Sequence, residues 1–89
     1  MSQLSEDRAA ALGRIGGTLQ SLLDTLNTIR LQLPKISAEE RAAALARYDA
    51  LYEKARTWRW YLEVQREAIG LTRHELLEEV YPLPPAETR

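Results

Sequence analysis

Apolar residues follow a regular spacing through the first part of the chain. They alternate three and four positions apart at Leu12, Ile15, Leu19, Leu22, Leu26, Ile29 and Leu33. This spacing is typical of a helix that buries one seam against a partner. Pro34 lacks an amide hydrogen and disfavours helical geometry at the residue before it, so the helix should end there. The pattern predicts a first helix over about residues 5–33 and a turn at 34–36.

A second and longer helix follows the turn. The segment from Ser37 to Glu40 has the spacing of a capping box, in which the serine hydroxyl and the glutamate carboxylate each accept a backbone N–H. Neither Gly nor Pro occurs over residues 38–69, and Gly70 follows where a left-handed cap belongs. We therefore predict a helix over about 38–69. Its apolar seam runs through Ala44, Tyr48, Leu51, Ala55, Trp58, Leu62, Gln65 and Ile69.

The last part of the chain predicts a short third helix over about residues 73–81. Thr72 and Glu75 repeat the capping-box spacing, and Pro82 ends the helix. One apolar face is formed by Leu76, Leu77 and Val80. The proline-rich residues 82–89 should be an extended or disordered tail.

These elements predict an all-α single domain over residues 1–89, a long antiparallel helical hairpin with the third helix at its open end. Equal rise on the two helices places Gly16 opposite Ala55 and Gly13 opposite Trp58. Two interpretations are open for the three glycines of this helix, Gly13, Gly16 and Gly17. They break the helix, which then restarts at Thr18, or they make room for the Trp58 side chain. The uninterrupted apolar seam favours close packing.

Several apolar residues lie outside the predicted seam near the turn. They include Leu23 and Leu31 on the first helix and Leu45 with the alanines 42–44 on the second. A hairpin of this size buries little apolar area by itself. We therefore expect a homodimer, in which two hairpins form a four-helix-type bundle with two-fold symmetry. The alternative is a monomer with scattered surface leucines, which is common.

The amino-acid composition excludes several kinds of binding site. The chain has 12 Lys and Arg against 13 Asp and Glu, a net charge of -1, and it has no Cys and a single His. Disulfides and cysteine-type zinc sites are excluded, and no metal or cofactor is predicted. No apolar run approaches the length of a membrane span, and the first residues are polar, so we expect a cytoplasmic protein that does not enter a membrane.

Arginine and aromatic residues in the second half of the chain suggest an alternative. A nucleic-acid-associated protein would use such side chains to contact phosphates and stack on bases. The candidates are Arg56, Arg59, Trp60, Arg66 and Arg73. However, glutamates lie three or four positions from Arg56, Arg59 and Arg66, which favours ion pairs within the helix and makes nucleic-acid binding the second choice.

A second alternative is a small all-helical enzyme that holds a dicarboxylate. It would place Gln65, Arg66, Arg14 and Arg30 inward, but their spacing supports no particular catalytic role.

The favoured function is a non-enzymatic protein-protein interaction or structural module that binds a second copy and an unidentified protein partner. No catalytic residue is predicted. The candidate interaction surface consists of residues left outside the seam or close to the proline-rich exit, and these are Leu23, Leu31, Trp60, Arg66, Arg73, His74 and Tyr81.

Overall fold

The fold is seen in a computed structural model that describes residues 3–71 and 75–85, with the side chains of 7–71 and 77–85. Helix α1 spans Gln3–Gln32, a single 3-10 turn spans Leu33–Lys35, and helix α2 spans Ala38–Ala68. Helix α3 spans Glu75–Val80. The described residues contain no strand, and the long axis of the molecule measures 55 Å. The predicted all-α hairpin with a short third helix is confirmed.

Helix α1 runs without a break through the three glycines. The interpretation in which the helix restarts at Thr18 is therefore wrong. Of the predicted seam, Ile15, Leu19, Leu26 and Ile29 are buried, and the other three residues are half-buried. The continuous apolar seam was the correct guide, because burial on one side of a helix offsets the low helix propensity of glycine.

The connection between α1 and α2 is fixed by polar contacts to the backbone. The Arg41 guanidinium donates two hydrogen bonds, of 3.2 and 3.0 Å, to the carbonyl oxygen of Leu33, which the end of α1 leaves without a helical partner. The predicted capping box is present. The Glu40 amide donates to the Ser37 hydroxyl over 3.1 Å, and the Ser37 amide donates to the Glu40 carboxylate over 3.4 Å. These contacts reverse the chain within five residues and make the two helices neighbours.

Helix α2 ends as its sequence predicts. Gly70 has a φ of 90°, in the left-handed region that favours glycine. Its amide donates to the Glu67 carbonyl over 3.0 Å, and the Leu71 amide donates to the Arg66 carbonyl over 2.9 Å. This pair of hydrogen bonds is the Schellman motif, which redirects the chain after a helix. The predicted capping box of the third helix falls partly on residues 72–74, which lie outside the described residues.

The core lies between α1 and α2 and under the C-terminal segment, by which we mean residues 75–85. All its buried side chains are apolar apart from the Tyr48 hydroxyl. The core cluster consists of Ile15, Leu19, Leu23, Leu26, Ile29, Tyr48, Ala55, Leu62 and Leu77. A side chain from α3 thus belongs to the same core as the hairpin.

The C-terminal segment turns back along the hairpin. Leu77 is buried, Leu83 packs against the core, and Pro84 is buried. The Tyr48 hydroxyl donates a hydrogen bond of 2.8 Å to the Pro85 carbonyl. Residues 82–85, where the sequence predicts an extended or disordered tail, form neither helix nor strand, and they pack on the hairpin through Leu83 and Pro84.

Gly16 is the glycine that close packing requires. A Cβ atom at this position would meet the Tyr81 hydroxyl, with the Tyr81 Cζ atom 3.3 Å away. A Cβ atom at Gly13 or Gly17 would have no atom within 4 Å among the described residues. Close packing was thus the correct interpretation for one glycine. The proposed bulky neighbour was wrong, since Tyr81 of the C-terminal segment takes the place expected for Trp58.

Candidate functional site

Leu23 does not belong to the predicted interaction surface. Its side chain is 2% exposed and lies in the core of a single chain. The sequence pattern placed Leu23 outside the predicted seam, but in the structure it belongs to the same core cluster as Leu19, Tyr48 and Leu77. A change of Leu23 to a charged residue would therefore disturb folding rather than separate two copies.

Tyr81 also contributes to packing within the chain. Its side chain is half-buried, and its hydroxyl lies against Gly16. Arg73 and His74, the two neighbouring candidates, lie outside the described residues. The region around the proline-rich exit is thus a cover for the hairpin as far as the structure describes it.

Two arginines of the nucleic-acid alternative, Arg59 and Arg66, are turned away from Trp60. The Arg59 side chain is 16% exposed, and its Nη2 atom lies 3.5 Å from the Glu78 carboxylate of α3. Arg66 is half-buried. Arg56 is exposed and forms a 3.1 Å ion pair with Glu53. Arg59 therefore faces the C-terminal segment, while Trp60, the next residue, is turned about 100° away around the helix.

Trp60 is the most conspicuous exposed aromatic residue. Its side chain is 62% exposed, on the side of α2 opposite the core. Residues at alternating spacings of four and three share this side, as in the seam of a helix pair. We call them the outer face of α2. They are Ala46, Ala50, Glu53, Thr57, Trp60 and Val64, and all except the half-buried Val64 are exposed.

Leu31 remains a surface residue, with 72% of its side chain exposed. It lines a shallow groove of about 510 Å³ beside the turn, together with Asn27, Arg30, Leu33 and Pro34. The lining residues of this groove come from the C-terminal end of α1 and from the turn that follows it. Leu31 and Trp60 are on different helices and do not line a common groove among the described residues.

One surface was missed by the sequence analysis. Trp58, expected opposite Gly13, instead lines a concavity of about 250 Å³ with Arg14, Ile15 and Tyr61. The helix register correctly predicted which turn of α1 lies beside Trp58. It predicted the wrong neighbour on that turn, since Gly13 is exposed and a Cβ atom there would meet no atom within 4 Å. The three-residue spacing of Trp58 and Tyr61 was the signal that could have located this surface, because it places both rings on one side of α2.

The described residues offer no cluster of three or more His, Asp or Glu side chains that could hold a metal ion. Within the same residues, no helix is both long enough and apolar enough to cross a bilayer. Arg56 pairs with Glu53 along α2, and Arg59 pairs with Glu78 between α2 and α3. The described residues do carry large apolar and aromatic groups at the surface, above all Leu31 and Trp60.

Comparison of the chain with protein-family models, with curated proteins and with solved structures gives no match.

Proposed function

We propose that this chain is a non-enzymatic interaction module that self-associates as a homodimer through the outer face of α2. The observation that carries the proposal is the exposure of Trp60 at the surface of a regular helix. Burial of an aromatic side chain of this size stabilises an interface by roughly 2–3 kcal/mol. Tryptophan is also the residue type most enriched among those that dominate binding energy.

The outer face of α2 has its small and large side chains in separate halves. Ala46 and Ala50 lie in the first half of the face, with the exposed Ala42 and Ala43 beside them. Trp60 and Val64 lie in the second half. Small residues let helix axes approach closely, and a large side chain fills the space left beside them. A face that is small at one end and large at the other is complementary to itself only when the two copies run antiparallel.

An antiparallel pair with its two-fold axis near residue 55 gives a specific register. Trp60 then lies beside the partner's Ala50, and Val64 lies beside the partner's Ala46. The contact from residue 46 to 64 is about 27 Å long at the rise of an α-helix. A parallel pair would instead place the Glu53 carboxylates of the two copies against each other, which like-charge repulsion disfavours.

The interior supports a binding role rather than catalysis. Among the described residues, those that are buried as a whole are aliphatic residues, Ala55 and Tyr48, and the buried charged atoms are the Nε atoms of the half-buried Arg59 and Arg66. Enzymes of this size usually place converging polar groups in a pocket. Here the Tyr48 hydroxyl is bound to the Pro85 carbonyl and serves to hold the C-terminal segment.

The test compares two glutamate substitutions by sedimentation equilibrium. Trp60→Glu places a charge in the proposed interface and should shift the average mass from dimer toward monomer, with an association constant reduced at least about a hundredfold. Leu31→Glu is the matched control, because Leu31 is at least as exposed but lies on α1 outside the face. It should leave the mass unchanged. A wild-type chain that is monomeric at high concentration, or equal effects of both variants, would contradict the proposal.

A further inference from the structure

The hairpin has two sides along which a further helix can pack, and only one is covered by the C-terminal segment. Two pairs of adjacent residues show this division. Gly16 contacts Tyr81, and Arg59 pairs with Glu78, so both face the C-terminal segment. Ile15 and Trp58, one position earlier on each helix, line the concavity on the other side. A one-residue step turns a helix by about 100°, which separates the two sides.

The uncovered side carries two neighbouring concavities near the open end of the hairpin. Its two concavities, of about 250 and 170 Å³, share Ala11 as a lining residue. We call them together the open groove. Its lining residues are Arg8, Ala11, Leu12, Arg14, Ile15, Thr18, Trp58, Tyr61, Gln65, Ala68 and Ile69.

The open groove combines an apolar floor with positive charge. Leu12, Ile15 and Ile69 supply aliphatic surface, while Arg8 and Arg14 supply two guanidinium groups. None of the lining residues is a carboxylate. A ligand that fits this lining is apolar on one side and negatively charged beside it.

Aromatic side chains form one wall of the open groove. The rings of Trp58 and Tyr61 pack edge to face, with their centroids 5.9 Å apart and their planes at 72°. This contact holds the two rings in place and presents apolar ring surface to the groove. An amphipathic helix binds by laying its apolar face into an apolar groove.

The covered side shows what kind of segment the hairpin binds. Helix α3 has the sequence ELLEEV, with Leu77 buried in the core and three glutamates around it. Glu78 of this helix lies 3.5 Å from Arg59 of α2. The hairpin therefore already packs an acidic amphipathic helix against one side, next to an arginine.

We propose that the open groove binds an acidic amphipathic helix of another protein. The helix places its leucine-type side chains on Ile15, Trp58 and Ile69, and its carboxylates pair with Arg8 and Arg14. Binding adds a fourth helical element on the side opposite α3. A nucleic acid fits less well, because the two rings pack on each other rather than present parallel faces for bases, and the aliphatic floor has no counterpart in a phosphate backbone.

The test uses two synthetic peptides and fluorescence anisotropy with the full-length chain. The first is a labelled helix of about 16 residues with leucines at spacings of three and four and glutamates beside them. The second has lysine in place of every glutamate. The glutamate peptide should bind saturably and at least about tenfold more tightly than the lysine peptide, and its binding should weaken as salt is raised from about 0.05 M to about 0.5 M.

Two arginine variants test the location. Arg14→Glu should weaken binding of the glutamate peptide at least about tenfold and strengthen binding of the lysine peptide. Arg56→Glu is the matched control, since Arg56 is an exposed arginine on the other side of α2, and it should leave both affinities unchanged. Both arginines are at the surface, so circular dichroism and thermal unfolding should show that each variant remains folded.

Several results would overturn the inference. They are absence of saturable binding, equal affinity for the two peptides, and equal effects of the two arginine variants. Tighter binding of a labelled single-stranded DNA that is lost in Arg14→Glu would assign the groove to nucleic acid instead. A dimer that Arg14→Glu dissociates would assign it to a second copy. Trp60→Glu should leave peptide binding intact, so the failure of self-association would not affect this result.

Discussion

At the scale of single residues, the three glycines of α1 show which contacts the sequence pattern predicts and which it does not. Gly13, Gly16 and Gly17 lie within five positions and look equivalent in the sequence. Only Gly16 is buried and has a neighbour that a Cβ atom would displace. The sequence correctly indicated that a bulky side chain approaches α1 there. It could not identify Tyr81, because that contact depends on where the chain goes after Gly70.

Alanine substitutions at these glycines should therefore have opposite signs. Gly13→Ala and Gly17→Ala add helix propensity without a clash, and each should raise the free energy of unfolding by about 1 kcal/mol. Gly16→Ala places a methyl group against the Tyr81 hydroxyl and should lower it. Urea unfolding followed by circular dichroism measures all three values.

A double variant tests the cause of the Gly16 effect. Tyr81→Phe removes the hydroxyl that the new methyl group would meet, so it should recover part of the stability lost in Gly16→Ala. If Gly16→Ala proves as stabilising as Gly17→Ala, Tyr81 does not pack against α1 as described.

At the scale of helices, the limits of the elements were well predicted because local chemistry sets them. Pro34, the capping box at Ser37 and the left-handed Gly70 each act within a few residues. The cover over the hairpin was not predicted. Helix α1 carries a second apolar stripe through Leu23 beside its main seam, and periodicity alone does not tell whether a second copy or the chain's own end covers such a stripe.

Packing of the C-terminal segment on the hairpin can be tested with two residues of α3, one buried and one exposed. Leu77→Ala should lower the free energy of unfolding by about 2–4 kcal/mol, because Leu77 is 4% exposed and lies in the core. Val80→Ala, in the same helix but 57% exposed, should change it by less than about 0.5 kcal/mol. Equal effects in urea unfolding would mean that α3 does not share the core of the hairpin.

At the scale of the whole molecule, the structure changes the grounds on which self-association is expected. Leucines near the turn were the sequence features that predicted a dimer, and one of them, Leu23, is buried within a single chain. Trp60 was noted as a residue with no place in the seam, and the outer face of α2 gives it a specific setting. The open groove was not foreseen, since its charge and its aromatic wall come from different helices and require the folded arrangement.

The central claim is the antiparallel pairing of the outer face, and intermolecular disulfide trapping tests it most directly. The chain has no cysteine of its own, so introduced thiols report only on designed positions. A mixture of Ala46→Cys and Val64→Cys chains should form a cross-linked dimer under mild oxidation, seen on a non-reducing gel, because the proposed register brings these positions together. Either variant alone should cross-link little. In the proposed register residue 46 of one chain lies about 27 Å along the helix axis from residue 46 of the partner, and the same holds for residue 64. No cross-link in the mixture, or an efficient one with Ala46→Cys alone, would contradict the claim.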